Sequence, residues 1–264
     1  MDEKKVVQVG GSIEESLQGQ YTIDVLSVLK EAWQLTLRTR IAINVGLLFI
    51  LIFAVIVSFA ISNSMGGIEE VIKDPQSSTL LNIVIVLIIS PFLVGVEMMG
   101  VFHAVGLKTN SKMIFSFLKR GSWVAVCALL TSVLTSIGMS LLILPGIYLS
   151  AAFSLALPLV VEKNLSPLKA LILSLKVTRF QWSKLVAIYA LLFIALFMSL
   201  LPLAILAQTQ LSVIGVIIFL VALTFIAPLF YNVKGILYRE IFGMQLAESD
   251  ANTTANQTND TFSA

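Results

Sequence analysis

The sequence predicts an all-α, polytopic membrane protein whose six transmembrane helices form three repeated hairpins, each preceded by a basic interfacial helix. Three observations carry this reading. Of the 264 residues, 58% are hydrophobic and 12% charged, against roughly 25% charged in a soluble domain, and mean hydropathy is +0.96. No Asp, Glu, Lys or Arg interrupts residues 41–68, 121–161 or 185–233. A proline-centred string also recurs along the chain. The composition excludes a soluble enzyme and a disordered chain. A net charge of +2 and a single cysteine, Cys127, exclude a nucleic-acid binder and a disulfide-stapled secreted domain.

A spanning helix needs about 20 predominantly apolar residues. Residues 41–61 supply the first span, and residues 80–104, interrupted by Glu97, the second. The run 121–161 would be about 60 Å long as one helix, twice the hydrocarbon thickness, so it must fold back. Pro145-Gly146 near its middle is the expected turn, giving spans at 122–143 and 146–161. The last run, 185–233, equals two more spans and breaks most naturally at Gln208-Thr209-Gln210.

Every Lys and Arg except Lys73 falls before the first span, between the second and third, between the fourth and fifth, or after the sixth. Under the positive-inside rule these regions are cytoplasmic, as are both termini. The first forty residues hold no apolar core and carry Asp2, Glu3, Glu14 and Glu15, so no cleavable signal peptide is expected. The expected organisation is a polar cytoplasmic N-terminus (1–23), a membrane domain (24–243) and a disordered cytoplasmic tail (244–264). Asn-x-Thr patterns at Asn252, Asn256 and Asn259 read as chance matches on a cytoplasmic tail.

The repeat is clearest at Ser90-Pro91-Phe92, Leu157-Pro158-Leu159 and Ala227-Pro228-Leu229. Segments 24–40, 111–120 and 166–179 precede the three hairpins, and Trp33-Gln34-Leu35-Thr36 aligns with Leu175-Lys176-Val177-Thr178. Asp24, and Asn110 or Ser111, are the expected caps of the first two segments. In the third, Ser166-Pro167 forms a cap and first-turn pair. Lys169 and Lys176 share one face there, with Leu168, Leu171, Ile172 and Leu175 elsewhere, as suits a helix lying apolar side down in the membrane interface.

The strings Ile143-Leu144-Pro145-Gly146-Ile147-Tyr148-Leu149, Pro158-Leu159-Val160-Val161-Glu162, Ser166-Pro167-Leu168-Lys169-Ala170-Leu171 and Ser174-Leu175-Lys176-Val177-Thr178 resemble the YciC-type bacterial inner-membrane proteins and the similar membrane domain of some glycerophosphodiester phosphodiesterases. The resemblance spans about residues 20–243. It implies a six-helix inner-membrane fold and carries no catalytic residues; the chain lacks a phosphodiesterase domain, so lipid hydrolysis is not implied.

Ionisable groups inside a bilayer are costly and are functional candidates by default. Glu97 and Lys234 each lie six residues after a repeat proline, His103 and Glu240 twelve after. If the first and third hairpins surround a pseudo-symmetry axis, Glu97 would meet Lys234 and His103 would meet Glu240. Glu97 then reads as a packing group, as a proton- or ion-coupling group, or as a partly solvated interfacial charge. One histidine and one cysteine make no metal site, and no cofactor is expected. No nucleophile–base arrangement appears, Gly10-Gly11 and Gly66-Gly67 being lone dipeptides, so an enzyme is not expected. Gly95, Met98, Met99 and Gly100 suggest close helix packing, and Asn44, Asn82 and Asn232 interhelical hydrogen bonds. The prolines either are architectural or free carbonyls for ions. The expected function is a non-enzymatic role in membrane or lipid organisation. Lys112, Lys119, Arg120, Lys169, Lys176 and Arg179 would face anionic headgroups, each contributing about 1 kcal/mol. The alternative is a small-molecule, ion or lipid transporter or flippase using Glu97 and Lys234.

Overall fold

The computed structural model describes residues 6–141 and 143–247; the three Asn-x-Thr patterns lie outside them. Among the described residues, six helical segments are long and apolar enough to cross a membrane: Val25–Ser64, Pro75–Ala104, Ser111–Leu141, Leu144–Glu162, Pro167–Leu206 and Ser212–Phe242. The protein is a helical, multi-pass membrane protein.

The chain opens with strand β1 (Val6–Val9) and helix α1 (Ile13–Leu17), whose cap Ser12 accepts from the Glu15 amide at 3.2 Å. Helix α2 (Val25–Ser64) is continuous, so the expected interfacial segment 24–40 is the first part of the first spanning helix rather than a separate element. No proline and only Gly46 fall within it, and nothing stops the helix until Gly66 and Gly67, whose φ values of 98° and 106° lie in the region that favours glycine. After α3 (Ile68–Lys73), helix α4 (Pro75–Ala104) begins with a proline, which has no amide to leave unsatisfied.

Segment 111–120 also departs from expectation. It forms two 3-10 turns, Ser111–Phe115 and Leu118–Arg120, rather than an α-helix. Asn110 Oδ1 accepts from the Lys112 amide at 3.1 Å, and a segment this short has little helical stability of its own. Helix α5 (Gly121–Leu141) is followed by α6 (Ile143–Phe153), which places Pro145-Gly146 in the first turn of α6 and not at the reversal. The two residues still shape the hairpin. A Cβ on Gly146 would lie 2.5 Å from Met139 Sδ, and one on Gly138 would lie 3.2 Å from Gly146 Cα, so glycine permits the close approach of α5 and α6.

Helix α7 (Ala156–Glu162) is separated from α6 at Ser154-Leu155. Pro158 has no N–H for the Ser154 carbonyl, and its ring crowds that carbonyl, which accounts for the break. Pro91 and Pro228, by contrast, lie within continuous helices. Helix α8 (Pro167–Thr178) leads through a 3-10 turn (Arg179–Gln181) into α9 (Trp182–Leu206). The chain then reverses through Gln208-Thr209-Gln210, as expected, into α10 (Ser212–Phe242). Beyond it, strand β2 (Met244–Ala247) pairs antiparallel with β1. The tail expected to be disordered from residue 244 therefore starts as a strand: Met244 and Leu246 are buried, and β1 supplies the backbone partners that a four-residue alternation cannot advertise.

Two compact units emerge, one from the described parts of 1–40, 99–109 and 176–264, the other from 41–98 and 110–175. In the first, α9 packs on α10, and Gly100 and Gly235 let α4 and α10 touch: a Cβ on Gly235 would stand 2.0 Å from the Gly100 carbonyl oxygen. In the second, α5 packs on α6 and α7, and Phe49, Phe53, Phe92 and Phe115 form an aromatic cluster. Exposed apolar side chains such as Leu51, Val55, Phe59, Ile217 and Val221 suit contact with lipid. The buried stretches 94–101, 156–161 and 232–238 each follow or contain a repeat proline.

Candidate functional site

Glu97 and Lys234 are buried, at 4% and 5% exposure. Glu97 belongs to the unit that contains α5 to α7, and Lys234 to the unit that contains α9 and α10. His103 has partners other than the expected Glu240. Its Nδ1 lies 3.0 Å from Asn232 Oδ1 and its Nε2 lies 2.6 Å from Thr109 Oγ1. Asn232 Nδ2 in turn donates to Thr36 Oγ1 at 3.0 Å. A neutral ring protonated at Nδ1, accepting the Thr109 hydroxyl at Nε2, satisfies this chain of groups. The register explains the difference. Gly100 meets α10 at Tyr231 and Gly235, so the two helices contact about one turn earlier on α10 than alignment of Pro91 with Pro228 implies. Asn232 is thus the interhelical hydrogen-bonding residue expected from the sequence. A buried and satisfied polar network fixes packing.

Glu240 belongs instead to a cluster around Arg239 that the sequence does not announce. Arg239 grips Glu31 with two nitrogens, at 2.6 and 2.9 Å, and donates to Glu240 at 2.9 and 2.6 Å and to the Ala104 carbonyl at 2.6 Å. The carbonyl of Arg239 accepts from Gly11 N–H at 2.9 Å, and Ser16 Oγ donates to the Ile241 carbonyl at 2.5 Å. Parts of the N-terminal segment, α2, α4 and α10 are therefore tied at one residue. Gly10-Gly11 has its reason here: a Cβ on Gly10 would lie 2.2 Å from the Arg239 carbonyl oxygen. The cleft beside the cluster, about 210 Å³, is also lined by Asp24, whose Oδ1 accepts from the Leu26 amide at 3.3 Å.

The basic segments differ among themselves. Lys112 and Lys119 are exposed, whereas Arg120 is half-buried and donates to the Val160 carbonyl at 3.0 Å. Helix α8 buries Ala170, Leu171, Ser174 and Val177, and the Ser174 hydroxyl donates to the Ala152 carbonyl. Leu171 thus faces protein rather than lipid. Its exposed face carries Leu168 and Ile172 beside Lys169 and Lys176, and Arg179 continues the basic run with its guanidinium 4.7 Å from the Phe180 ring centre.

A second cleft, about 360 Å³, is lined by Arg120, Trp123, Asn164, Leu165, Ser166 and Lys169. Asn164 adopts φ 56°, a left-handed turn that Asn tolerates better than most residues, and the Ser166 carbonyl accepts the Ala170 amide at 2.9 Å, as an N-cap does. Trp33, Trp123 and Trp182 are exposed and precede or open the first, third and fifth spans. Tryptophan favours the membrane–water boundary. This marker is legible in the positions of the three tryptophans in the sequence. Among the described residues no group of three His, Cys, Asp or Glu could hold a metal ion. No protein-family model, curated protein or solved structure matches the chain.

Proposed function

We propose that this protein is a non-enzymatic component of a bacterial inner membrane, with both termini cytoplasmic, that organises anionic lipid at the cytoplasmic surface. The observation that carries the reading is the exposed face of α8, where Lys169 and Lys176 stand beside Leu168 and Ile172. The apolar pair suits the acyl boundary and the lysines the headgroups. The distribution of Lys and Arg, the interfacial tryptophans and the resemblance to YciC-type membrane proteins support the same placement. Removing two lysines should cost about thirtyfold in relative affinity for anionic lipid. The test extracts the protein with its surrounding lipid and compares phosphatidylglycerol enrichment in the native chain and in Lys169→Gln/Lys176→Gln. Unchanged enrichment would overturn the reading.

A second reading, transport of a small molecule, ion or lipid, is favoured by the burial of Glu97 and Lys234 within spanning helices. It requires flux across liposomes that Glu97→Gln abolishes while the thermal unfolding transition is retained.

A further inference from the structure

We propose that the cleft lined by Arg120, Trp123, Asn164, Leu165, Ser166 and Lys169 is a single binding site for the phosphate of an anionic phospholipid headgroup. The inference rests on the lipid-organising reading and narrows it to one place and one ligand chemistry. The cleft measures about 360 Å³, within the size range of small-ligand sites. Among the described residues two cations and no carboxylate line it. The nearby Glu162 is engaged at 3.2 Å by Lys163, so that charge is already answered outside the lining. Arg120 is held by the bond from Nη1 to the Val160 carbonyl. A guanidinium has five N–H donors, so this anchoring orients the group and leaves donors for an anion. Asn164 and Ser166 add neutral polar groups.

Depth identifies the source of the phosphate. Helix α5 has 21 residues, a length of about 31 Å, close to the hydrocarbon thickness. Its first turn therefore lies at one membrane boundary. Arg120 immediately precedes that turn and Trp123 is in it, with 53% of its surface exposed. An indole at this level favours the headgroup region, and Leu165 gives the cleft a second apolar wall. A lipid phosphate meets the cations while its acyl chains remain beside α5; a free phosphate uses the cations alone.

The test is native mass spectrometry of the detergent-solubilised full chain titrated with dioleoyl phosphatidylglycerol, dioleoyl phosphatidylcholine, glycerol phosphate or inorganic phosphate. Expected is one saturable phosphatidylglycerol adduct, weakened about fivefold by Lys169→Gln and weakened again by Trp123→Ala. Lys176→Gln, which lies outside the cleft, should leave this adduct unchanged while lowering bulk anionic-lipid enrichment. Arg120→Gln is read only beside its unfolding temperature, because Arg120 also holds Val160. Equal binding of phosphatidylcholine, or equal weakening by Lys176→Gln, would overturn the cleft proposal while leaving the broader lipid reading standing. Saturation by inorganic or glycerol phosphate at the same concentration would overturn the lipid source in favour of a soluble anion. Loss of bulk enrichment in Lys176→Gln with the single adduct intact supports both readings, and failure of both effects removes both.

Discussion

The two clefts each hold an arginine and resolve its charge in opposite ways. Around Arg239 the guanidinium meets Glu31, Glu240 and the Ala104 carbonyl. Around Arg120 and Lys169 the lining holds no carboxylate among the described residues. A cation whose hydrogen bonds are all made to its own protein fixes the positions of the segments that contribute them. One whose neighbours are neutral keeps its field for something else. Basic residues near the ends of spanning helices therefore do not form one class, although the positive-inside rule counts them alike.

The largest expected effect breaks the closed cleft. Arg239→Gln should lower stability by about 3 kcal/mol, since it removes one partner of a partly buried ion cluster and leaves the Ala104 carbonyl without its donor. The measurement is thermal unfolding in nanodiscs of fixed lipid composition. Phosphatidylglycerol binding at the other cleft should survive wherever the variant remains folded. A loss below about 1 kcal/mol would reduce the cluster to ordinary surface pairing and remove the contrast.

The buried polar chain Thr109–His103–Asn232–Thr36 tests whether uncharged groups fix helices as the arginine does. Asn232→Leu strips partners from His103 Nδ1 and Thr36 Oγ1 at once. It should cost about 2 kcal/mol, less than Arg239→Gln, because no charge is exposed to an apolar surrounding. The same unfolding assay ranks the two, and a reversed order would show that the α4–α10 contact, rather than the ion cluster, holds this unit together.

What could be read from the sequence divides along similar lines. Five spans follow from uncharged runs, and the second, interrupted by Glu97, from its apolar length, because the bilayer imposes a length and a composition on each helix separately. The reversal at Gln208-Thr209-Gln210 is legible for the same reason: polar side chains leave the hydrocarbon. Register is not legible, because it depends on which surfaces meet. Gly100 and Gly235 bring α4 and α10 together about one turn away from the repeat alignment, and so His103 finds Asn232 instead of Glu240. Glu31 and Arg239 are far apart in the chain, and only the fold joins them. Pro145-Gly146 carries a turn signal in sequence, yet its glycine serves packing against Met139. Buried stretches follow Pro91 and Pro228 within continuous helices, whereas α7, which holds Pro158, is enclosed from its first residue.

Asp74 should give the smallest effect and sharpens the comparison from the other end, as a charge fully answered by hydrogen bonds but open to water. Its carboxylate accepts from the Ser77 hydroxyl at 2.6 Å, from the Ser77 amide at 3.0 Å and from the Gln76 amide at 3.3 Å. The Ser77 hydroxyl bond, followed by the two amide bonds, holds its pKa below the usual carboxylate value. The sign follows from the lowered value: the ionised cap stabilises the start of α4 fully above the ordinary carboxylate pKa of about 3.9, and that contribution disappears as pH falls through the lower folded-state pKa. Amide protection at Ser77 and Ser78, taken relative to the intrinsic exchange rate at each pH, should therefore fall below that pH in the native chain, while Asp74→Asn should show the reduced protection already at neutral pH and little further change on acidification. The unfolding temperature at pH 7 should barely move, because solvent replaces an exposed cap. A drop as large as that of Arg239→Gln would mean that hydrogen-bond satisfaction, rather than enclosure within the protein, makes a charge structural here.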